Sequence, residues 1–549
     1  MAEPHLGVQA GPRVHAPHDA SRAAAEVEND VPRASSLRAY LANSGAMLLA
    51  IGMAIFGIFL PALIVPYAFS DDYSVLSIAN GLAGRPVFGT NIPGGFFGTN
   101  ILDTVAGSGR PIAGLLDDLV YSTAGTIDNL RFVRLVTVVG IVALAFLLHW
   151  ALVRSGVRSV PAALIVVLVC GMPAFEVYGS WAVLFNIPYA AILAGCASLF
   201  AVSAVDGPRC LVVDRMVGAV ALMLAALLIY QPAAMFLWVF LAVALFGAVN
   251  ERRRALRLVF VHVAVAFGAL GLAYVAFKTH YGGIVTLNPR DALTTDVIGK
   301  TRWFVKDALY QALNLGHLTP ALWLAAVVAI LAVVGVPLLL RQRRAHQPLL
   351  FVGIAVALVP LTYLPNLIVQ DNLAYYRTQL AITSLVVLYA CAGAIGIWLT
   401  LQDWLQPRIS GRALRTVTRL ALVASVVAVA ASTAIAARNV LTLFVVPQTA
   451  ELRLLRNQVA ALPTGVRRVA VLGTPYNLGV AHLVRYDEFG FPSTAHPFVS
   501  QPIVLLMLHE EGRLTPAPYP IVDILPYPTS TFPKDEPVLN VLPMLEQLR

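Results

Sequence analysis

The sequence predicts an α-helical polytopic membrane protein of about 11 transmembrane helices, with amphipathic helices outside the membrane and a small α/β C-terminal domain. Charged residues make up only 12% of the chain and hydrophobic residues 58%, whereas soluble chains average about 25% charged. Many uninterrupted apolar stretches reach the ~20 residues a helix needs to cross a bilayer. Between them the basic residues gather in short clusters, the pattern that orients membrane proteins.

The predicted spans are 45–66, 129–153, 159–177, 181–204, 213–230, 232–249, 256–277, 319–340, 349–369, 374–400 and 415–437. The fifth and sixth form one apolar stretch broken at Tyr230-Gln231-Pro232. Proline removes a backbone donor and clashes with the preceding turn. As one helix the stretch would be ~54 Å long at 1.5 Å per residue, too long for a single span. A single kinked helix is the alternative; it would change the count by one and flip the C-terminus. With the break, Arg33/Arg38, Arg154/Arg158, Arg209/Arg215, Arg252–Arg254, Arg341/Arg343/Arg344 and Arg408/Arg412/Arg415 all fall on one side. That side is expected to be cytoplasmic.

The chain then divides into a disordered cytoplasmic tail (1–43), a transmembrane region (44–437) and an extracytoplasmic C-terminal domain (438–549). Segments 67–128 and 278–318 are expected on the same outer side. In the first, Val75, Ile78, Ala79 and Leu82 share one helical face. After Pro111, Ile112, Leu115, Leu116 and Leu119 share a face opposite Asp117 and Asp118. Both runs are too short to span and read as helices lying along the membrane surface. Between them, 84–109 is Gly-, Pro- and Asn-rich and reads as a turn-rich loop. Residues 303–316 read as a third surface helix. Near the C-terminus, 450–461 reads as a helix, and the run from Arg468 to Thr474 as a strand ending in a turn.

The net charge of +9 does not indicate nucleic acid, because no stripe of basic and aromatic residues accompanies it. Cys170, Cys196, Cys210 and Cys391 lie in or beside apolar stretches without a CxxC pair, which argues against disulfides or zinc. His149 and His262 stand alone on apolar spans and read as packed or hydrogen-bonded residues. No Walker loop, GxSxG, HExxH or dinucleotide motif is present.

The residues that point to chemistry lie on the predicted outer side. Asp71-Asp72-Tyr73 directly follows the first span. Two adjacent carboxylates at a membrane–water boundary repel, which raises the pKa of at least one and prepares a general base. Their alternative is a solvated span end. The sequence does not choose between the two aspartates; Asp71 is preferred. Arg85, Arg110, Lys278, Arg302, Lys306 and Arg377 fall on the same side, against the usual topology bias, and phosphate binding would explain them. Arg377, in Tyr375-Tyr376-Arg377 at the mouth of the tenth span, is the sharpest; an interfacial anchor is its alternative, as for Lys278. Glu176 ends the third span, as a second acid of the site or a plain boundary residue.

Taken in order, Ser70-Asp71-Asp72-Tyr73, Gly109-Arg110-Pro111, Tyr230-Gln231 and Tyr376-Arg377-Thr378 resemble the polytopic GT-C glycosyltransferases. Among these the chain looks most like the bacterial O-antigen glucosyltransferases of the serotype-converting type. The general layout covers about 400 residues. The resemblance implies an enzyme of the bacterial inner membrane with a cytoplasmic N-terminus. It would move a sugar from a polyprenyl-phosphate donor to a cell-envelope glycan acceptor outside the cytoplasm. Asp71 or Asp72 would be the base. Arg377, Lys278, Arg302 and Lys306 would meet the donor phosphate, and Tyr73, Arg110, Glu176, Tyr230, Gln231 and Tyr376 would contact substrate. Two carboxylates would suit a hard divalent ion such as Mg or Mn, although nothing in the sequence demands one. The C-terminal segment, with Tyr486-Asp487-Glu488-Phe489-Gly490, is larger than the simplest members require. A polysaccharide polymerase or ligase, or a membrane transporter, is the alternative reading.

Overall fold

A computed structural model gives the architecture and describes residues 37–82, 101, 102, 105, 108–281, 292–316, 318, 321–474, 488, 489, 491–514, 519–525, 533 and 536–543. Most of the 84–109 loop, Arg85, Tyr486, Asp487 and Gly490, and residues 1–36 of the tail lie outside the described residues. Residues Met1–Ser44 and Gly45–Arg549 form two separate units.

Among the described residues, eight helices are long and apolar enough to cross a membrane, or nine if one bent pair counts as a single span. They include α1 (Leu37–Ile64), α4 (Leu130–Arg154), α7 (Ile187–Asp206), α8 (Val212–Ile229) and α10 (Arg252–Tyr281). The short α2 (Asp71–Ala79) and α3 (Pro111–Ala124) lie between α1 and α4. The bent pair is α5 (Ser159–Cys170) with α6 (Pro173–Ser180), turned by 62°. Gly171 and Pro173 flank that bend; a proline opening α6 cannot continue the ladder of α5. α8 ends at Ile229, Tyr230 is extended, and the chain resumes helically at Gln231, so the predicted break falls where Pro232 puts it. The next apolar stretch, Gln231–Phe246 with α9 (Phe236–Phe246), is shorter than a full span, as is Pro348–Leu361.

The surface-helix expectations need correction. α2 buries six of its nine residues, Asp72 to Ser77, because Tyr73 and Leu76 on its other sides are also covered. They pack against Leu452, Leu455, Val469, Val471 and Ile503 of the C-terminal segment. α3 does expose Leu115 and Leu119, but it separates the two acids: Asp117 is buried and Asp118 exposed. Neighbours on a helix point about 100° apart, so a DD pair cannot share one environment at a boundary. The third run begins earlier than expected, as α11 (Val297–Trp303), and continues through Phe304–Leu313 with Phe304, Ala308 and Ala312 against Tyr363.

No break separates the last apolar helix from the C-terminal segment. Gly411–Ala460 is one 50-residue helix in which a π-turn at Val440–Val445 absorbs the transition. Beyond it, β1 (Arg468–Leu472), β2 (Ile521–Leu525) and β3 (Val538–Leu539) form a parallel sheet in the order β2-β1-β3. Helix Ser500–Glu510 packs into the same core.

Candidate functional site

The site begins where α1 ends. Arg134, fully buried in α4, donates to the carbonyls of Ala62 (2.8 Å), Val65 (3.2 Å) and Tyr67 (2.9 Å). Those carbonyls lie at or just beyond a helix C-terminus, where intrahelical partners run out. Its guanidinium also stacks 3.8 Å from the Tyr67 ring centroid. The lead-in to the acidic pair is thus fixed from a second span. Ser70 then adopts φ 47° and ψ −114°. A non-glycine residue held there costs on the order of 1–3 kcal/mol and persists only where its surroundings impose it.

The two aspartates part company at this point. Asp72 is fully buried. Its carboxylate accepts from Tyr121 Oη (2.8 Å), Val183 N (2.8 Å) and Phe69 N (3.0 Å). Burial pushes its pKa up to about 6, while Tyr121, Arg134 and the two backbone donors restrain the rise. Asp71 is only half-buried. It lies near enough to Arg377 for its charge to help hold that cation: burial works against the guanidinium, and Glu488, with Asp71, more than offsets it.

Arg377 sits in a short 3-10 turn, Tyr376–Thr378, just before the helix Leu380–Leu405. Its Nε lies 3.4 Å from Glu488 Oε1, and its guanidinium lies 5.3 Å from the ring centroids of both Trp181 and Tyr375. Tyr178 of α6 donates to its carbonyl. Aromatic rings surround this pair: Tyr376 against Phe489, Phe489 against Phe444, and Phe444 and Trp181 against Phe69. The Glu488 carboxyl is buried; burial raises its pKa and Arg377 lowers it. Apart from Arg377, no side chain among the described residues donates to its oxygens, and the Trp181 indole N–H meets no acceptor there.

A second polar group adjoins the first through Tyr230. Arg110 stacks over the Tyr230 ring (4.7 Å) and donates to Gln231 Oε1 (3.3 Å), and Gln231 donates to the Gly109 carbonyl (3.1 Å). Two sequence motifs 121 residues apart therefore meet. Asp117 is next to them. It accepts from Asn186 (3.0 Å), and burial pushes its pKa up to about 8 against the pull of Arg110.

The site thus gathers Asp71, Arg377, Tyr376, Tyr230, Arg110 and Gln231. Tyr73 lies instead in the core that α2 shares with the C-terminal segment, fully buried, so it does not face the Arg377 side. Glu176 is buried on α6, with its Oε1 3.4 Å from Asn439 Nδ2. Lys278, Arg302 and Lys306 are exposed rather than gathered around Arg377. Lys300, by contrast, is buried: it donates to the Asp371 carbonyl (2.7 Å) and Asn372 Oδ1 (2.9 Å), in the chain segment that precedes Arg377. Among the described residues no cluster of His, Cys, Asp and Glu is arranged to hold a metal ion.

The fold and site define an α-helical multi-pass membrane protein. The chain matches no protein-family model and no curated protein.

Proposed function

We propose that this chain is a polytopic glycosyltransferase of the GT-C type. It takes a sugar from a polyprenyl-phosphate donor and places it on a cell-envelope glycan outside the cytoplasm. The observation that carries the reading is a half-buried carboxylate, Asp71, directly after the first apolar helix, whose charge reaches Arg377 where that cation is flanked by Trp181 and Tyr375 and paired with Glu488. In this reading the eleven predicted stretches all cross the membrane and the C-terminal segment is extracytoplasmic.

Arg377 holds the phosphate of the lipid donor, because a guanidinium matches phosphate oxygens in a fork. Asp71 takes the proton of the acceptor hydroxyl as that oxygen bonds to the anomeric carbon. The bond from that carbon to the phosphate oxygen breaks, and its electron pair leaves on the lipid phosphate. One displacement inverts the anomeric centre. Asp72, with three donors already on its carboxylate, positions the turn and does not take the proton.

The test is transfer of labelled sugar from a polyprenyl-phosphate donor in membranes carrying Asp71→Asn. Losing a general base costs roughly 10²–10⁴-fold in rate. Full transfer by the variant at normal expression would overturn the assignment.

A further inference from the structure

The C-terminal segment reaches the acidic pair through one side chain. Ser493 Oγ accepts a hydrogen bond from the Ser70 backbone N–H at 3.1 Å, across 423 residues of sequence. Ser70 carries an unusual backbone conformation, and Asp71 follows it. Ser493 is itself held from several sides. It donates through Oγ to Gln448 Oε1 (3.0 Å) and through its N–H to Glu451 Oε2 (2.7 Å). Glu451, fully buried, also accepts from the Thr494 N–H (3.0 Å) and hydroxyl (2.7 Å). Gln448 in turn donates to the Phe491 carbonyl. Gln448 and Glu451 stand on the helix that continues the last apolar stretch. A continuous chain of hydrogen bonds therefore runs from that helix through Ser493 to the backbone of Ser70.

We infer that Ser493, backed by Glu451, is a positioning residue: it holds Ser70 in its high-energy conformation and so aims the Asp71 carboxylate. This makes the C-terminal segment an integral part of the site. The inference rests on the proposed role of Asp71.

Each anchor along this turn has its own partner. Arg134 fixes residues 62–67, Asp72 fixes the Phe69 N–H, and Ser493 takes the Ser70 N–H. Remove that acceptor and a buried N–H loses its partner, which relaxes by turning the peptide. The turn of that peptide is what directs Asp71. A misplacement of about 1 Å in a reacting group costs roughly 10²-fold in rate. Donor binding at Arg377 reaches Ser70 only through the Asp71 charge, a smaller influence on that cation than the Glu488 beside it.

The experiment compares Ser493→Thr, Ser493→Cys and Ser493→Ala in the full chain, in detergent or membranes. The hydroxyl of Thr is retained, the thiol of Cys is a weaker acceptor, and Ala has none. The expected result is a graded fall in kcat, roughly 100-fold for Ser493→Ala, with the KM for the lipid-phosphate donor moving far less. Hydrogen exchange of the peptide covering 66–75 should show the Ser70 amide losing protection in the same order. A kcat that is flat across the series, or an amide equally protected in Ser493→Ala, would overturn the inference. If Ser493→Ala does not fold, the Thr–Cys comparison gives the same answer. If the wild-type chain transfers no sugar from any polyprenyl-phosphate donor, the functional reading fails, while the exchange series still decides whether Ser493 holds Ser70.

Discussion

Tyr121 and Asp72 are joined by a 2.8 Å hydrogen bond between two fully buried side chains, one on α3 and one on α2. This bond ties α2 and α3 together at the first acid pair. Hydrogen bonds to a charged group contribute about 1.5–3 kcal/mol, and leaving one partner buried and unmet costs at least as much. Tyr121→Phe is therefore expected to destabilise the protein by about 2 kcal/mol in chemical unfolding. Asp72→Asn should cost more. Its amide would turn an NH₂ toward the Val183 or Phe69 N–H, two donors face to face. A neutral result for Asp72→Asn would remove the structural role assigned to this carboxylate.

Arg377→Lys separates charge from geometry. Lysine keeps a positive charge but lacks the planar fork that stacks on Trp181 and Tyr375. Under the proposed function, the expected outcome is a donor KM raised roughly tenfold, equivalent to about 1.4 kcal/mol of lost binding. Glu488→Gln should act in the opposite direction, because it removes the resident counter-charge 3.4 Å from Arg377 and leaves the cation to the phosphate. Donor titrations of both variants check this; equal KM values in all three proteins would dissociate Arg377 from donor binding.

Lys300→Met tests the strip before Arg377. Lys300 supplies two hydrogen bonds to residues 371 and 372 and lies 4.4 Å from the Trp303 ring. The neighbouring strip is also pinned by Gln370 N to the Ala292 carbonyl and by the Tyr363 hydroxyl to the Leu373 carbonyl. Methionine fills similar space without a donor. Loss of about 1 kcal/mol of stability is expected, because water can replace the lysine at the exposed Asn372 and the half-buried Asp371 carbonyl, together with faster amide exchange across 371–378. Exchange unchanged in that segment would show that the other pins suffice.

The sequence was legible wherever local chemistry decides the structure. Pro232 announces the break at Tyr230, and the short apolar run after Arg468, closed by Gly473, announces β1. The sharp turn between α5 and α6 also had a signal, Gly171-Met172-Pro173, inside a stretch that reads as one span. Arg134 had one too: an arginine within an apolar helix needs buried partners. Other features had none. Which of Asp71 and Asp72 faces inward depends on packing against Tyr121 and Val183, not on the dipeptide. Glu488 and Ser493 belong to a segment hundreds of residues from the acids, and only the tertiary fold brings them to Arg377 and Ser70. The outer cations show the same limit. Arg110 and Arg377 converge around Tyr230, while Lys278, Arg302 and Lys306 stay exposed, although the predicted topology put all five on one side.

Asp117 gives the protein a pH dependence whose sign follows from its burial. Its pKa is about 8 in the folded protein against an ordinary 3.8. The folded state therefore favours the protonated acid. Its contribution to stability is fully present below about pH 4 and is lost as pH rises toward 8, where the buried carboxylate must ionise without adequate solvation. A tenfold change in an ionisation constant corresponds to about 1.4 kcal/mol, so the stability lost to this residue across that window is on the order of several kcal/mol. Asp117→Asn keeps an oxygen for the Asn186 amide and removes the titration. The variant is expected to match wild type near pH 4 and to exceed it progressively toward pH 9, flattening the unfolding midpoint against pH. Arg110 opposes the effect, so Arg110→Met should raise the Asp117 pKa further and extend the loss of stability to higher pH. If the wild-type and Asp117→Asn midpoints run parallel from pH 5 to 9, Asp117 is ionised throughout and Arg110 outweighs its burial.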